Sequence, residues 1–331
     1  MRRYFARKLV TYGLTFFAAV TIDWAIPHMM PGDPINTFLS TFPIQNGSTY
    51  RNLYNTFARA FRTDVPLWKQ YLYFWQSLIH GDLGISIMQY PTPVTTMIQR
   101  AAPYTLAILV PSILLSWYVG NKLGAMAARR KNLDNTVLPI SYLLTATPYM
   151  WLAILLAWLF AFIWRIFPIG FAYDVTARKQ FTFYFITNLL YHWFLPFFTL
   201  FLVGLGGWAI GMRNMIIYEL EADYSHYLEA LGAPRRLVRK YAFRNAVLPQ
   251  VTGLALSLGG ILAGALVTEI VFSYPGLGNL IYRAILTKDY FVIQGTFLFI
   301  IVGTLIANFV VDMVYVLIDP RTRIGMQGGQ A

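Results

Sequence analysis

Cysteine is absent from all 331 residues, which excludes a disulfide framework, a thiolate metal site and thiol redox chemistry. Charge is also scarce. Only 12% of residues are Asp, Glu, Lys or Arg, and 14 acidic side chains stand against 26 basic ones. No Gly-x-x-x-x-Gly-Lys-Ser/Thr run occurs, so the chain has no loop of that kind to cradle nucleotide phosphates. His28, His80, His192 and His226 are too scattered for zinc-ligand spacing or an acid–base pair, and no nucleophile elbow accompanies them. A non-catalytic chain with no cofactor or metal of its own is therefore expected. What the sequence does hold is apolar: 57% hydrophobic residues, 17% aromatic ones and a mean hydropathy of +0.52. That is far too apolar for a soluble domain of this size, so the chain reads as an integral membrane protein. The formal charge of +12 fits basic flanks that set orientation and meet anionic lipid better than it fits nucleic acid.

A helix needs about 20 residues to cross the hydrocarbon core. Six apolar runs qualify, over residues 9–30, 103–128, 136–163, 189–212, 250–273 and 291–318. The first follows Arg2, Arg3, Arg7 and Lys8 like a signal peptide, but it is too long and ends in Pro31-Gly32-Asp33-Pro34 rather than a small-residue cleavage site, so it reads as a retained membrane helix. Pro27, Pro111, Pro139, Pro148 and Pro196 fall inside the runs and predict kinks, which neighbouring helices or water can accommodate. No internal repeat or low-complexity tract is evident, and residues 1–331 read as one transmembrane domain.

The basic residues set the sidedness. With the N-terminus in the cytoplasm, the inner segments hold Arg2, Arg3, Arg7, Lys8, Lys122, Arg129, Arg130, Lys131, six basic residues within 213–249, Arg321 and Arg323, sixteen of the twenty-six. Both termini are expected inside, in a plasma or inner membrane. The largest outer segment is then an insertion over 31–102, between the first two spans. Its stretches Tyr50–Phe61 and Pro66–Ile79 carry apolar residues at helical intervals, as in Leu67, Tyr71, Phe74, Trp75 and Leu78. Such helices either pack over the bundle and its interface or present a landing surface for an external partner.

Residues 213–249 are so polar that they must lie in water. The spacing predicts a short helix from Tyr224 to Leu231, a left-handed residue at Gly232 that ends it, and a second helix that Pro234 starts and Arg235–Ala246 continues, with Leu248-Pro249 closing the segment. Two short helices at an angle form a knob that could seat in a cleft on another protein. The plainer reading is a solvated helical hairpin.

Arg213-Asn214-Met215, Asp223-Tyr224, Glu229-Ala230-Leu231-Gly232 and Arg244-Asn245-Ala246-Val247-Leu248-Pro249 occur in an order that resembles the cytoplasmic coupling loop of ABC importer permeases of the dipeptide/oligopeptide/nickel branch, B-type subunit. Importer permeases in general often carry an acidic-Ala-Ala-x-x-x-Gly pattern here. In this chain His226 occupies the acidic position, a departure that the peptide branch shares. The resemblance extends along the chain through Pro31-Gly32-Asp33-Pro34, Gly81-Asp82-Leu83-Gly84 with Ser86, Arg100 with Pro103, Thr105 and Leu106, then Glu269, Phe272-Ser273, Pro275-Gly276-Leu277-Gly278, Asp289-Tyr290, Asn308, Asp312, Tyr315 and Asp319-Pro320-Arg321.

That resemblance implies an all-helical, six-span fold and a pore formed with a second homologous permease. It also implies two ABC ATPases, which carry the ATP and magnesium, and an extracytoplasmic solute-binding protein. The expected ATPase-coupling residues are Asp223, Tyr224, Glu229, Ala230, Gly232, Ala233, Arg244 and Asn245. The Pro/Gly-rich segment 272–280 is either part of an outer gate or a connecting turn, with Asp82, Phe272, Tyr274, Pro275 and Gly276 as the gate or binding-protein contacts. Peptides are the expected cargo, with oligosaccharides or nickel complexes open. Asp23, Glu269 and Asp312 lie within apolar runs and must meet water or a partner, along a substrate path or in structural hydrogen bonds. A secondary transporter remains the alternative, though it would normally show ionisable mid-membrane sites and often an internal repeat.

Overall fold

The computed structural model of the chain describes residues 2–174, 176–177, 180–259 and 266–318. The Asp319-Pro320-Arg321 motif, Arg323, the side chain of Tyr315 and residues 260–265 of the fifth apolar run lie outside the described residues. Every regular element described is helical, and the described residues separate into two compact units: those of 2–104 with 275–306, and those within 105–274 with 307–318.

In the first unit, α1 (Arg2–Met29) carries the first apolar run. Its exit turn is Pro31-Gly32-Asp33-Pro34. Gly32 has φ +106°, a backbone conformation that residues with a Cβ rarely adopt, so the turn favours glycine. Asp33 caps the short α2 (Pro34–Leu39) by accepting from the amides of Ile35 and Asn36, and Tyr54 donates to its other oxygen at 2.7 Å. The helices expected in the insertion form as α3 (Gly47–Ala60) and α4 (Leu67–Ile79). Ile35, Phe38, Leu39, Ala58, Phe61 and Ile87 make a small core between α2, α3 and the following loop. Aromatic contacts seat α4 on α1: Trp24 on Tyr71 and Phe17 on Trp75, ring centroids 5.1 and 5.4 Å apart.

Two of the quoted motifs meet in this unit. Ser86, which follows Gly81-Asp82-Leu83-Gly84, donates to the Asp289 carboxylate at 2.5 Å across 203 residues of sequence, and the Met88 amide donates to the same oxygen. Asp289 is buried between α12 (Leu277–Thr287) and α13 (Tyr290–Ile318), and burial pushes its carboxyl up despite these donors. Asp23 is buried on α1, and among the described residues its carboxylate oxygens meet no hydrogen-bond partner.

The second unit is a set of closely packed helices: α5 (Val94–Ala127) from residue 105 onward, α6 (Lys131–Ala146), α7 (Tyr149–Leu156), α8 (Phe183–Leu220), α9 (Asp223–Ala230), α10 (Arg235–Gly259) and α11 (Leu266–Val271). Glycines set the spacing. A Cβ on Gly124 would lie 2.2 Å from the Ala209 carbonyl oxygen, and one on Gly206 would lie 2.5 Å from that of Ser141, so α8 touches α5 and α6 backbone to backbone. Arg213 adds a two-pronged bond to Asp134, at 3.0 and 2.6 Å, that ties α8 to the first turn of α6. Glu269 is fully buried and accepts from Thr105 at 2.6 Å, which favours the structural reading of that carboxylate.

Among the described residues, four helices are long and apolar enough to cross a membrane: Lys8–Met29, Val94–Ala127, Phe183–Leu220 and Tyr290–Val310. The run at 136–163, expected as one kinked span, is instead two arms, Lys131–Ala146 and Tyr149–Ile163, bent by 103°. Proline disfavours helical geometry in the residue before it, and Thr147 is accordingly extended, φ −79° and ψ 122°. The second arm finishes in a π-helical stretch, Ala157–Ile163. The second elbow helix, expected over Arg235–Ala246 with Leu248-Pro249 closing the segment, runs on to Gly259, because an interior proline forfeits one amide bond without ending a helix whose other contacts hold it.

Candidate coupling elbow

The polar segment 213–249 folds as a helix–turn–helix hung between two long helices. Helix α8 carries through to Leu220, and Glu221 and Ala222 then turn the chain, Ala222 being extended at φ −72° and ψ 149°. Asp223 opens α9, where a carboxylate meets the positive end of the helix dipole. The helix ends as its sequence predicts. Gly232 has φ +77°, its amide donates to Glu229 O at 2.9 Å, and the Ala233 amide donates to Leu228 O at 3.0 Å, the paired bonds of a Schellman turn. Pro234 follows, and its carbonyl accepts the first bond of α10 from Leu237.

One face of the elbow is packed. Val238, Ala242 and Ala246 recur at four-residue spacing on α10 and are buried, as is Ser225 on α9. Ala246 packs with Met212 and Ile216 of α8 and Ala125 of α5. The other face is bare: Tyr227 and Leu231 are each 65% exposed, beside Asp223, His226, Glu229 and Ala230. Arg235, Arg236, Arg239, Lys240 and Arg244 are exposed on α10.

The elbow is pinned by Glu219, in the last turn of α8. Its Oε2 accepts from the Tyr224 hydroxyl at 2.6 Å and from the Asn245 amide at 3.1 Å, while its backbone carbonyl accepts from Ser225 Oγ at 2.7 Å. One residue thus joins α8, α9 and α10. Burial, and then the adjacent carboxylate, push the Tyr224 phenol up, so it stays a donor. Of the expected coupling residues, Tyr224 and Asn245 come together at this node. Asp223, Glu229, Ala230, Gly232 and Arg244 are exposed, and Ala233 is half-buried. Glu219 itself went unnoticed in the sequence. Its signal was a carboxylate at the C-terminal end of an apolar helix, where the helix dipole disfavours it unless donors compensate.

The outer-gate residues are placed differently from one another. Phe272 and Tyr274 are almost fully buried in the second unit, and the Tyr274 amide donates to Glu269 O at 2.8 Å. Pro275 is exposed and Gly276 buried in the first unit, where Asp82 is exposed and caps the Gly84 amide at 2.9 Å.

Comparison with known proteins is decisive at this point, because residues 120–324, which contain the whole elbow, match the family described as binding-protein-dependent transport system inner membrane component. The chain belongs to that family. The permease is 30% identical to the dipeptide transport system permease protein DppB of Bacillus subtilis strain 168, over 99% of this chain and 100% of that one. It is 29% identical to the dipeptide transport system permease protein DppB of Escherichia coli K12, over 98% of this chain and 99% of that one. The oligopeptide transport system permease protein AppB of B. subtilis strain 168 is 26% identical over 97% and 99%. The permease is therefore a multi-pass membrane subunit of a binding-protein-dependent transport system.

Proposed function

We propose that this permease is one of two homologous membrane subunits of an ATP-driven peptide importer, and that the elbow at 213–249 is the handle on which a separate ABC ATPase pulls. The observation that carries the reading is the construction of the elbow. Its inner face is locked to α8 and α10 by Glu219, Tyr224 and Asn245, while Tyr227 and Leu231 are left bare at its tip. A force applied to the tip reaches two long helices with little slack. Peptide cargo rests on the relatives, which are dipeptide and oligopeptide permeases.

In this scheme six spans, the fifth running through 250–273, place both termini and the elbow in the cytoplasm. A solute-binding protein delivers peptide from outside and the 31–102 insertion lies on its side of the membrane. Asp82, Phe272, Tyr274, Pro275 and Gly276 belong to the outer gate or its contacts. Closure of the two ATPases on ATP draws the elbows of the two permeases together, rocking α8 and α10 and opening the pore outward. Hydrolysis and release reset it. The test is co-purification and reconstitution: the tagged permease is expected to bring down a P-loop ATPase and to take up peptide in liposomes only with that ATPase and ATP. Robust uptake by the permease alone would overturn the proposal.

A further inference from the structure

The broken third run leaves a cavity that the coupling argument does not use. It measures about 620 Å³ and is lined by Pro148 and Tyr149 at the helix break, Gly207 and Gly211 of α8, and Gln250 and Gly253 of α10. All of these residues belong to the second unit. The volume falls within the range of small-ligand sites.

Three features of its wall share one chemistry. First, the break frees backbone groups. Pro148 has no N–H to give the Leu144 carbonyl, and the 103° bend parts the carbonyls of Thr145 and Ala146 from the amides of Tyr149 and Met150. The break thus leaves acceptors at the end of α6 and donors at the start of α7, with Thr145, Ala146 and Tyr149 lining the cavity. Second, glycines thin the opposite wall: Gly253 lies against the Trp208 ring and Gly211 against the Gln250 amide, while Gly207 is open. A Cβ on Gly207 would have nothing within 4 Å. Third, Gln250 is more than nine-tenths buried. Its backbone carbonyl is held by the Trp117 indole N–H at 3.0 Å, and its side-chain amide lies over bare Gly211, 3.3 and 3.5 Å from where that residue's Cβ would be. Among the described residues the amide head meets no hydrogen-bond partner. The residue is mostly enclosed, but its amide head opens onto the cavity, where water or a ligand can serve it.

We propose that this cavity is where the permease grips the main chain of the transported peptide. An extended peptide presents alternating N–H and C=O groups, which match the paired donors and acceptors of the α6–α7 break and of the Gln250 carboxamide. The open space at Gly207 admits backbone without reading cargo side chains, as a carrier of many peptides requires. The proposal rests on the peptide-importer reading above and locates the contact within it.

The experiment uses the complete transporter, purified with its partner subunits and reconstituted in liposomes, with tritiated trialanine as the probe. Gln250→Leu keeps the side-chain length and removes the amide, and Gly207→Leu fills open space. Each is expected to raise the half-saturating trialanine concentration about tenfold while ATPase activity stimulated by the binding protein stays within about twofold of wild type. In addition, the wild type's preference for trialanine over its ester-linked analogue should shrink in Gln250→Leu, a change that a purely structural glutamine would not produce. Unchanged half-saturation and unchanged preference in both variants, with the wild type active, would overturn the cavity proposal alone. A wild-type complex that takes up no trialanine would overturn the importer reading and the cavity proposal with it.

Discussion

Glu219→Ala is the sharpest perturbation of the elbow, because a single carboxylate oxygen holds both Tyr224 and Asn245. A hydrogen bond to a charged group contributes about 1.5–3 kcal/mol when buried. The node is only half-buried, so water can replace part of each bond and about 1 kcal/mol apiece is a sounder figure. Losing both then costs about 2 kcal/mol, which shifts the balance between a pinned and a splayed elbow about thirtyfold. The assay is the ratio of peptide imported to ATP hydrolysed by the reconstituted complex. Hydrolysis should persist while import per ATP falls, since the handle still binds but transmits less. Tyr224→Phe should lose about half as much, and the double-mutant cycle between the two positions should show a coupling of about 1 kcal/mol. A Glu219→Ala complex with a wild-type ratio and additive effects in that cycle would refute the mechanical role of the node.

Four further outcomes are expected. Because the Tyr224 phenol is raised above the ordinary value of 10.0, its contribution is complete below pH 10 and lost as the pH climbs through its folded value; a thermal-stability profile of the complex should bend there, and Tyr224→Phe should remove the bend. Gly124→Ala drives a methyl into the Ala209 carbonyl and should lower stability by about 2–3 kcal/mol, whereas Gly13→Ala, with nothing within 4 Å, should leave melting in detergent unchanged. Gly232→Val forces a branched residue to φ +77° and should cost about 1–2 kcal/mol locally. The measured result should be weaker retention of the ATPase on a column, with normal membrane insertion. Asp289→Ala leaves the Ser86 hydroxyl and the Met88 amide without their acceptor and should cost about 1–3 kcal/mol. Faster proteolysis of the 81–93 loop would report it.

What could be read from the sequence was what short-range physics dictates. A 3.6-residue period foretold α3 and α4, and Gly232 followed by Pro234 foretold where α9 stops and α10 starts, because both depend on backbone preferences of adjacent residues. Membrane-length apolar runs were visible for the same reason, as was the order of motifs that resembles peptide permeases. The 103° turn at Thr147-Pro148 was not. Proline announces a break, but whether it yields a slight kink or a sharp corner depends on which neighbours receive the second arm.

Partnerships between distant residues were likewise invisible in the sequence. Ser86 and Asp289 lie 203 positions apart, and Glu219 meets Asn245 only because α10 folds back along α8. The sequence by itself showed that the chain is helical, that it carries long apolar runs and that 213–249 is too polar for them, since composition and local dihedral preference decide those matters. Only the tertiary structure decided that Glu219 pins the elbow and that Gln250 borders an open cavity. A lone carboxylate or carboxamide has no identity as a pin or a grip until packing sets its donors, acceptors and empty space around it.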